Sequence, residues 1–479
     1  MNDNFLHMSF KKEVFNFKSR MPASVEQVFA WHERPGAFER LAPPWVRMEV
    51  AERTDGIENG ARVKMHVTYG PVNTTWTVEH KDYIKNEQFC DFQVHGPLAW
   101  YEQLHRFVAE SAHSSLIDDT ITYQLPAGMA GEFAGNMVMH VEFERLFHYR
   151  HKIVLDDLRF ASQYQEAETM KIALTGSTGF IGSALVPLLT TQGHDVRRLV
   201  RPQSRDNATT PGEKATWDPS SGMLETSALE GCDAVVHLAA DNIGTERWSE
   251  EKKRRMRASR LDSTKLLCSR MAQLQKPPKV FLCASAIGFY GDRGDQAVTE
   301  DSDRGTGFLA DLCSDWESAS KEAEKCGARV VNLRIGVVLS PKGGALQKML
   351  LPFQMGAGGP IGTGKQYFSW ISMDDVIGAI LHCLLTDSIK GPINVVAPNP
   401  VTNGEYTHAL GHVLQRPAFI PMPAFGARMA FGEFADECLL SSTRVLPKRL
   451  EDSGYKFRYP EIEGALRHQL GKELGPVTG

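Results

Sequence analysis

The sequence predicts two folds in one chain: an α+β unit on an antiparallel sheet, then an α/β unit on a doubly wound parallel sheet. Three observations carry this. Up to about residue 165, apolar and polar residues alternate in runs of five to ten, the pattern of strands with one buried face. From Met170 onward the apolar runs are continuous and β-branched and alternate with helical segments, as buried parallel strands do. Between the two lies a short polar linker, QYQEAET, residues 163–169. A length of 479 residues suits about three domains, and 42% hydrophobic with 23% charged residues excludes disorder, collagen or a dense disulfide scaffold.

In the first unit six runs read as strands: FKKEVFNFKSRM, ARVKMHVTYG, TTWTVEHKDYI, EQFCDFQVHG, WYEQLHRFVAE and SLIDDTITYQL. Gly, Pro, Asn and Asp punctuate them. Two stretches break the alternation. In residues 24–40, Val25, Val28, Phe29 and Trp31 fall near helical spacing, with Ser24 as the N-cap. Residues 132–158 contain no Pro and carry Phe143, Leu146 and Phe147, which predicts one long helix. Strand, helix pair, strands and one long helix is the helix-grip order. A curved sheet gripping a helix leaves a cavity for a small apolar ligand. Trp45, Trp76, Phe92, Trp100, His105 and Tyr123 are candidates to line it. His105 reads either as an acid/base facing that cavity or as a satisfied core or surface histidine.

In the second unit the strand MKIAL runs into Gly176-Ser177-Thr178-Gly179-Phe180-Ile181-Gly182 and then a helix. Gly176 permits the tight turn, Gly179 lets backbone approach a pyrophosphate, and Gly182 lets the helix pack against the strand. The helix N-terminus then receives the phosphates. The next strand, DVRRLVR, ends in Arg201 with no carboxylate there, and Asp195 stands too early. A guanidinium at that end suits a 2′-phosphate, so NADP(H) is preferred over NAD(H); the alternative is a solvated strand-end charge. The runs DAVVHLAA, VFLCASA and RVVNLRIGVVL supply further parallel strands.

Taken in order, TGSTGFIG, VVHLAADNIGTERW, SRLDSTKLL, ASAIGFYGDRGD, LRIGVVL and FSWISMDDV resemble an extended-type short-chain dehydrogenase/reductase, most closely the atypical bacterial epimerase family. Residues 421–470 resemble the small, α-rich C-terminal domain of that branch. Residues 10–159 resemble the START-like polyketide cyclase/dehydrase (SRPBCC) superfamily through ASVEQVFAWHERPGAFERLAPPW, GARVKMHV, FCDFQVHGPLAWYEQLHRF and DDTITYQLP. The resemblance implies a START-like helix-grip domain at 1–165, a Rossmann domain at 170–420 and the small domain at 421–470, with the substrate pocket under the last. It places the backbone of His237, Leu238, Ala239 and Ala240 along the adenosine and ribose, Asn242 just beyond, and residues 285–288 under the nicotinamide.

The same resemblance calls for a Ser, a Tyr and a Lys four residues after the Tyr. Trp316 stands at the Tyr position and Ser320 at the Lys position, with Lys321 one residue late. Ala286 stands at the Ser position, with Ser285 one before it. Ser285 and Tyr290 remain as catalytic candidates, each also readable as packing. Arg334 is a buried ligand for a substrate anion or one half of an ion pair. Asn242, Trp248 and Gln366 are expected to border the substrate pocket, and Asp374 with Asp375 to cap a helix. The implied function is an NADP(H)-binding oxidoreductase or epimerase-like protein with a nonstandard catalytic set. The alternative is an NADP(H)-binding sensor without turnover.

Several classes are not expected. The net charge is −5, and the basic run KKRRMR at 252–257 has no interleaved aromatics, so nucleic acid is not an expected partner. The eight cysteines form no CxxC pair and none sits at zinc spacing from a His, so no metal is expected and a reducing compartment is. No apolar run reaches 18 residues and residues 1–15 lack a leader-like core, so a cytoplasmic protein off the membrane is expected. The expected partners are a small-molecule substrate and the small apolar ligand of the first cavity; an oligomer stays open.

Overall fold

A computed structural model of the chain describes residues 12–54, 56–69, 72–126, 132–204 and 209–477. Residues 1–11, most of the segment read for a leader, lie outside these. The chain divides into two compact units. One comprises Met1–Gln165, Asn207–Thr210 and Glu473–Gly479, the other Glu166–Asp206 and Pro211–Lys472, which includes residues 421–470.

The first unit runs β1 (Glu13–Met21), α1 (Val25–Glu33), α2 (Ala37–Leu41), β2 (Arg47–Arg53), β3 (Arg62–Tyr69), β4 (Val72–Ile84), β5 (Gln88–His95), β6 (Trp100–Ser111), β7 (Ser114–Gln124) and α3 (Glu132–Ser162). The strands form one antiparallel sheet in the order β1-β7-β6-β5-β4-β3-β2. Ser24 caps α1 in a capping box with Gln27, and the helical stretch divides at Gly36, whose φ is 94°. The seventh strand, β2, was not among the six predicted. It is a charged edge strand, RMEVAER, in which only Val50 is buried, so it lacks the alternation that marks a half-buried strand.

The odd-numbered positions of β6 and β7 form the inner face: Tyr101, Gln103, His105 and Phe107 beside Ile117, Asp119, Ile121 and Tyr123. Phe143 and Phe147 of α3 pack on the Tyr101, Ile121 and Tyr123 end. Ile153 and Leu158 pack on the Phe107 and Ile117 end. This order of strands and long helix fits a helix-grip arrangement. Two of the expected lining residues face the other way. Phe92 pairs in register with Glu102, and its ring meets Trp100 at 5.3 Å, so both lie on the outer face.

The second unit begins with β8 (Lys171–Thr175), α4 (Gly182–Thr191), β9 (Asp195–Val200), β10 (Glu213–Asp218), β11 (Met223–Leu224), β12 (Ala234–His237), α5 (Glu250–Met271), β13 (Val280–Ala286) and α6 (Phe308–Ser320). Its sheet runs β11-β10-β9-β8-β12-β13, then Arg329–Ile335, then Gly391–Val395. Every pairing is parallel except that of β11. Strand order reverses between β8 and β12. In open α/β sheets, ligands bind at such a switch point, outside the carboxyl ends of the strands.

The helix Met373–Leu385 is capped by Ser372, which bonds Asp375 in both directions, so only one of the two expected aspartates serves the cap. Asp374 instead meets His468 and Gln469. Asp375 also accepts the backbone N–H groups of Arg458 and Tyr459 and the Tyr455 hydroxyl, tying the C-terminal segment to this helix. No described helix is long and apolar enough to cross a membrane.

Candidate functional site

The loop from β8 into α4 is shaped by its glycines. Gly176 has φ +74°, and a Cβ there would lie 2.9 Å from the Ala239 nitrogen. A Cβ on Gly182 would lie 2.1 Å from the Gly176 carbonyl oxygen, so helix and loop meet only because position 182 has no side chain. The Gly179 N–H closes the turn onto that same carbonyl at 2.9 Å. Thr178 and Gly179 are exposed at the tip. The start of α4 has no side-chain cap; the Ser183 and Leu185 N–H groups bond the Gly179 and Ile181 carbonyls, which leaves those of Phe180, Ile181 and Gly182, without a partner among the described residues, for an external acceptor. Ser177 adds a second donor: its Oγ is buried and has no hydrogen-bond partner among the described residues. An orphaned hydroxyl beside an uncapped helix start fits a phosphate group.

The facing wall comes from β12. Ser263 donates to the Ser259 carbonyl at 2.6 Å, so His237 donates from Nε2 to Ser263 at 2.9 Å and accepts the Thr175 hydroxyl at Nδ1, 2.7 Å away. Thr175 then receives the Ala239 N–H. Burial lowers the His237 pKa to about 3, which keeps the ring neutral. The His237 side chain is therefore a pillar that fixes the backbone of Leu238, Ala239 and Ala240, and Ala240 is exposed. Arg201 is exposed just beyond the end of β9.

Further along the sheet, Ser285, Arg334 and Asn394 stand in register on three adjacent strands. Glu317 of α6 joins them. It accepts Ser285 at 2.7 Å and Arg334 twice, at 2.8 and 2.9 Å. Arg334 also donates to the Tyr290 oxygen at 2.9 Å, and Tyr290 donates to Asn394 Oδ1 at 2.6 Å. The Arg334 guanidinium lies 3.5 Å over the Phe289 ring.

This network engages several of the expected site residues. Tyr290 is fully buried and burial pushes its pKa up to about 12, so its proton stays on the Asn394 bond and is no ready donor. Of the two readings of Arg334, the geometry gives the ion pair. Trp316 spends its N–H on Thr264, Ser320 bonds Asn332, and Lys321 is exposed. Trp248 donates its single N–H to the Ile243 carbonyl and packs against Phe308 and Phe434. Gln366 uses its Nε2 on the Ile361 and Leu439 carbonyls. Both hold segments together. Asn242 is exposed, and its Oδ1 holds the Gly244 N–H at 2.8 Å.

Glu317 is the residue that sequence reasoning missed. The signal was available: a lone carboxylate on the inward face of helix 308–320, beside Leu309, Leu312, Cys313 and Trp316, demands a buried partner.

Residues 172–396 match the NAD dependent epimerase/dehydratase family, residues 21–144 match the polyketide cyclase/dehydrase and lipid transport family, and residues 422–469 match a domain of unknown function (DUF1731). An epimerase family protein of Mycobacterium bovis is 43% identical over 295 residues, 62% of this chain and 96% of that protein. The crystal structure of a nucleoside-diphosphate sugar epimerase from Corynebacterium glutamicum is 31% identical with TM-score 0.77, over 96% of this chain and 91% of that one. The human epimerase family protein SDR39U1 (isoform 2), solved with NADPH, is 36% identical with TM-score 0.57, over 63% of this chain and 99% of that one.

Proposed function

Since this chain belongs to the epimerase family, we propose that its second unit binds NADP(H) and acts as an oxidoreductase-like protein on a small molecule, with a nonstandard catalytic set. The observation that carries this is the loop at 176–182, where an orphaned Ser177 hydroxyl and an uncapped helix start await an anion. When bound, the nicotinamide supplies or accepts a hydride. Backbone at 176–182 holds the pyrophosphate, the segment after His237 lines the adenosine side, and residues 285–288 run beneath the nicotinamide. Arg201 binds the 2′-phosphate. Its guanidinium, the missing carboxylate at the end of β9, and the NADPH in the human relative's structure support NADP(H) over NAD(H).

The chain's own polar groups near the sheet end act by positioning. Ser285 gives its proton to Glu317, so its remaining lone pair orients a donor on the substrate. The first unit binds a small ligand in a helix-grip cavity, and the domains divide at 1–165, 170–420 and 421–470.

The test is hydride transfer from 4-deuterated NADPH to a panel of carbonyl compounds, using the full chain. Deuterium in a product is the expected result. Retention of the label with every compound, while NADPH still binds, favours a second reading: an NADP(H)-occupied sensor without turnover. The commitment of Trp316, Ser320 and Tyr290 to internal bonds supports that second reading.

A further inference from the structure

We propose that the inner face of the first unit is a proton-transfer site, in which His105 and Asp91 interconvert the tautomers of a small, enolisable carbonyl compound. It goes beyond ligand binding by this unit and does not depend on the nucleotide site.

A chain of side chains crosses the inner face. His151 meets Ser19 Oγ at 2.8 Å through Nδ1 and Asp119 Oδ2 at 2.6 Å through Nε2. Asp119 Oδ1 meets His105 Nδ1 at 2.5 Å. His105 Nε2 faces Asp91 Oδ2 at 3.4 Å, and Asp91 Oδ1 meets His80 Nδ1 at 2.7 Å. The register of the strands places Asp91 opposite Gln103, and His105 opposite Asp119. Phe89 stacks on the His105 ring with centroids 4.3 Å apart.

The chain is closed at one end and open at the other. The Asp119 and His151 side chains are only 5% and 3% exposed, whereas that of Asp91 is 22% exposed. A buried carboxylate on Nδ1 fixes the tautomer and orientation of His105 and leaves Nε2 for chemistry. The contact from Nε2 to Asp91 is longer than a good hydrogen bond, so a ligand oxygen can take that proton. Burial by itself would lower the His105 pKa, but Asp119 and Asp91 outweigh it and lift it to about 9, so the ring carries both protons at neutral pH. Burial would raise Asp91, but His80 and His105 hold it well below the usual carboxylate range, so it is ionised and gains strength as a base only when a ligand displaces its His105 contact.

The rest of this face is rich in donors. Trp76 Nε1 and Arg150 Nε are buried and have no hydrogen-bond partner among the described residues. Trp76 meets the Tyr101 ring edge-on at 5.1 Å, and the Arg150 charge acts on the Tyr101 hydroxyl. A matching ligand carries a carbonyl for His105, an acidic C–H for Asp91, a ring to lie among the aromatics, and oxygen acceptors for Trp76 and Arg150.

The step balances without an oxidant. The Asp91 carboxylate takes the proton on the carbon next to the carbonyl. The C–H electron pair becomes the C=C bond, and the carbonyl π pair takes the Nε2 proton of His105 to give the enol. Reversal returns one proton to carbon, at the same or a conjugated position, and the other to His105.

The experiment is proton exchange by ¹H NMR with the full chain in D₂O at neutral pD, without nucleotide, using 2-tetralone as the probe. The C1 protons are expected to exchange faster than with an equal concentration of free imidazole. His105→Gln and Asp91→Asn are each expected to reduce this acceleration about 100-fold or more. Asp91 is the partly exposed member, so Asp91→Asn is the variant to rely on if His105→Gln fails to fold, with near-UV circular dichroism as the check. No acceleration over imidazole, or full acceleration in folded Asp91→Asn, overturns the proposal. Because no nucleotide is present, this outcome is separate from the fate of the oxidoreductase reading.

Discussion

Glu317 organises the polar network at the end of the α/β sheet, and replacing it with glutamine measures how much. The Glu317 side chain is 10% exposed and accepts three hydrogen bonds, two of them from Arg334, whose side chain is 4% exposed. Glutamine keeps the shape but offers one acceptor oxygen and no charge. Removing one partner of a buried ion pair costs about 3–5 kcal/mol, because the other charge is left uncompensated. The retained acceptor puts Glu317→Gln near the lower end. At roughly 2–4 °C per kcal/mol for a unit of this size, the transition of the second unit should fall by about 6–12 °C. Scanning calorimetry of the full chain reads this directly. Adding Arg334→Met removes the orphaned charge and should recover most of the loss, a coupling that a double-mutant cycle isolates. A fall of under about 1 °C for Glu317→Gln, or strict additivity in the double variant, would refute the assignment of Arg334 as a structural ion pair.

Three other outcomes follow from the same geometry. Gly182→Ala places a methyl group 2.1 Å from the Gly176 carbonyl, so the loop must move; NADPH affinity, read by fluorescence titration, should drop about 100-fold while the first unit's melting is unchanged. Asp375→Asn keeps one acceptor oxygen, so it leaves one of the Arg458 and Tyr459 N–H groups unpartnered and should cost about 1–3 kcal/mol. Limited proteolysis should then cut between residues 455 and 470, and unchanged resistance there would count against the tie. His105 has a raised folded pKa, so its stabilisation is complete below about pH 6.5 and is lost as pH rises through about 9, at most about 3 kcal/mol. His32, His80, His151, Asp91, Asp119 and Arg150 are the titratable and charged groups around it. Urea denaturation of the first unit's transition at pH 6.5, 8 and 9.5 checks the sign, and a flat or rising midpoint contradicts it.

The elements with strong periodicity were legible in the sequence. Strands β1 and β3–β7 and the long helix α3 follow their alternation or spacing, and the glycine loop identified itself by context. What escaped had weak local signals. Strand β10, EKATWD, buries only Trp217 deeply, and Gly391–Val395 opens with Gly-Pro, which reads as a turn. The candidate site was legible where backbone makes it, at 176–182 and after His237. It was illegible where side chains meet across the fold. Tyr290 and Asn394 are 104 residues apart, and Ser285 and Glu317 are 32 apart. No spacing rule links such pairs, so the sequence leaves Tyr290 open between a catalytic candidate and a packing residue. The His–Asp chain of the first unit draws on five strands and a helix, and only His105 drew notice in the sequence.

We propose that the loop at 176–182 and Arg201 together select NADP(H). The decisive experiment is fluorescence titration of the full chain with NADPH and NADH, repeated on Arg201→Gln. A charge-assisted bond to the 2′-phosphate, at about 1.5–3 kcal/mol, predicts NADPH binding tighter than NADH by about 10-fold or more. That preference should vanish in Arg201→Gln with NADH affinity unchanged. Binding of neither dinucleotide, tighter binding of NADH, or an undiminished NADPH preference in Arg201→Gln would contradict it.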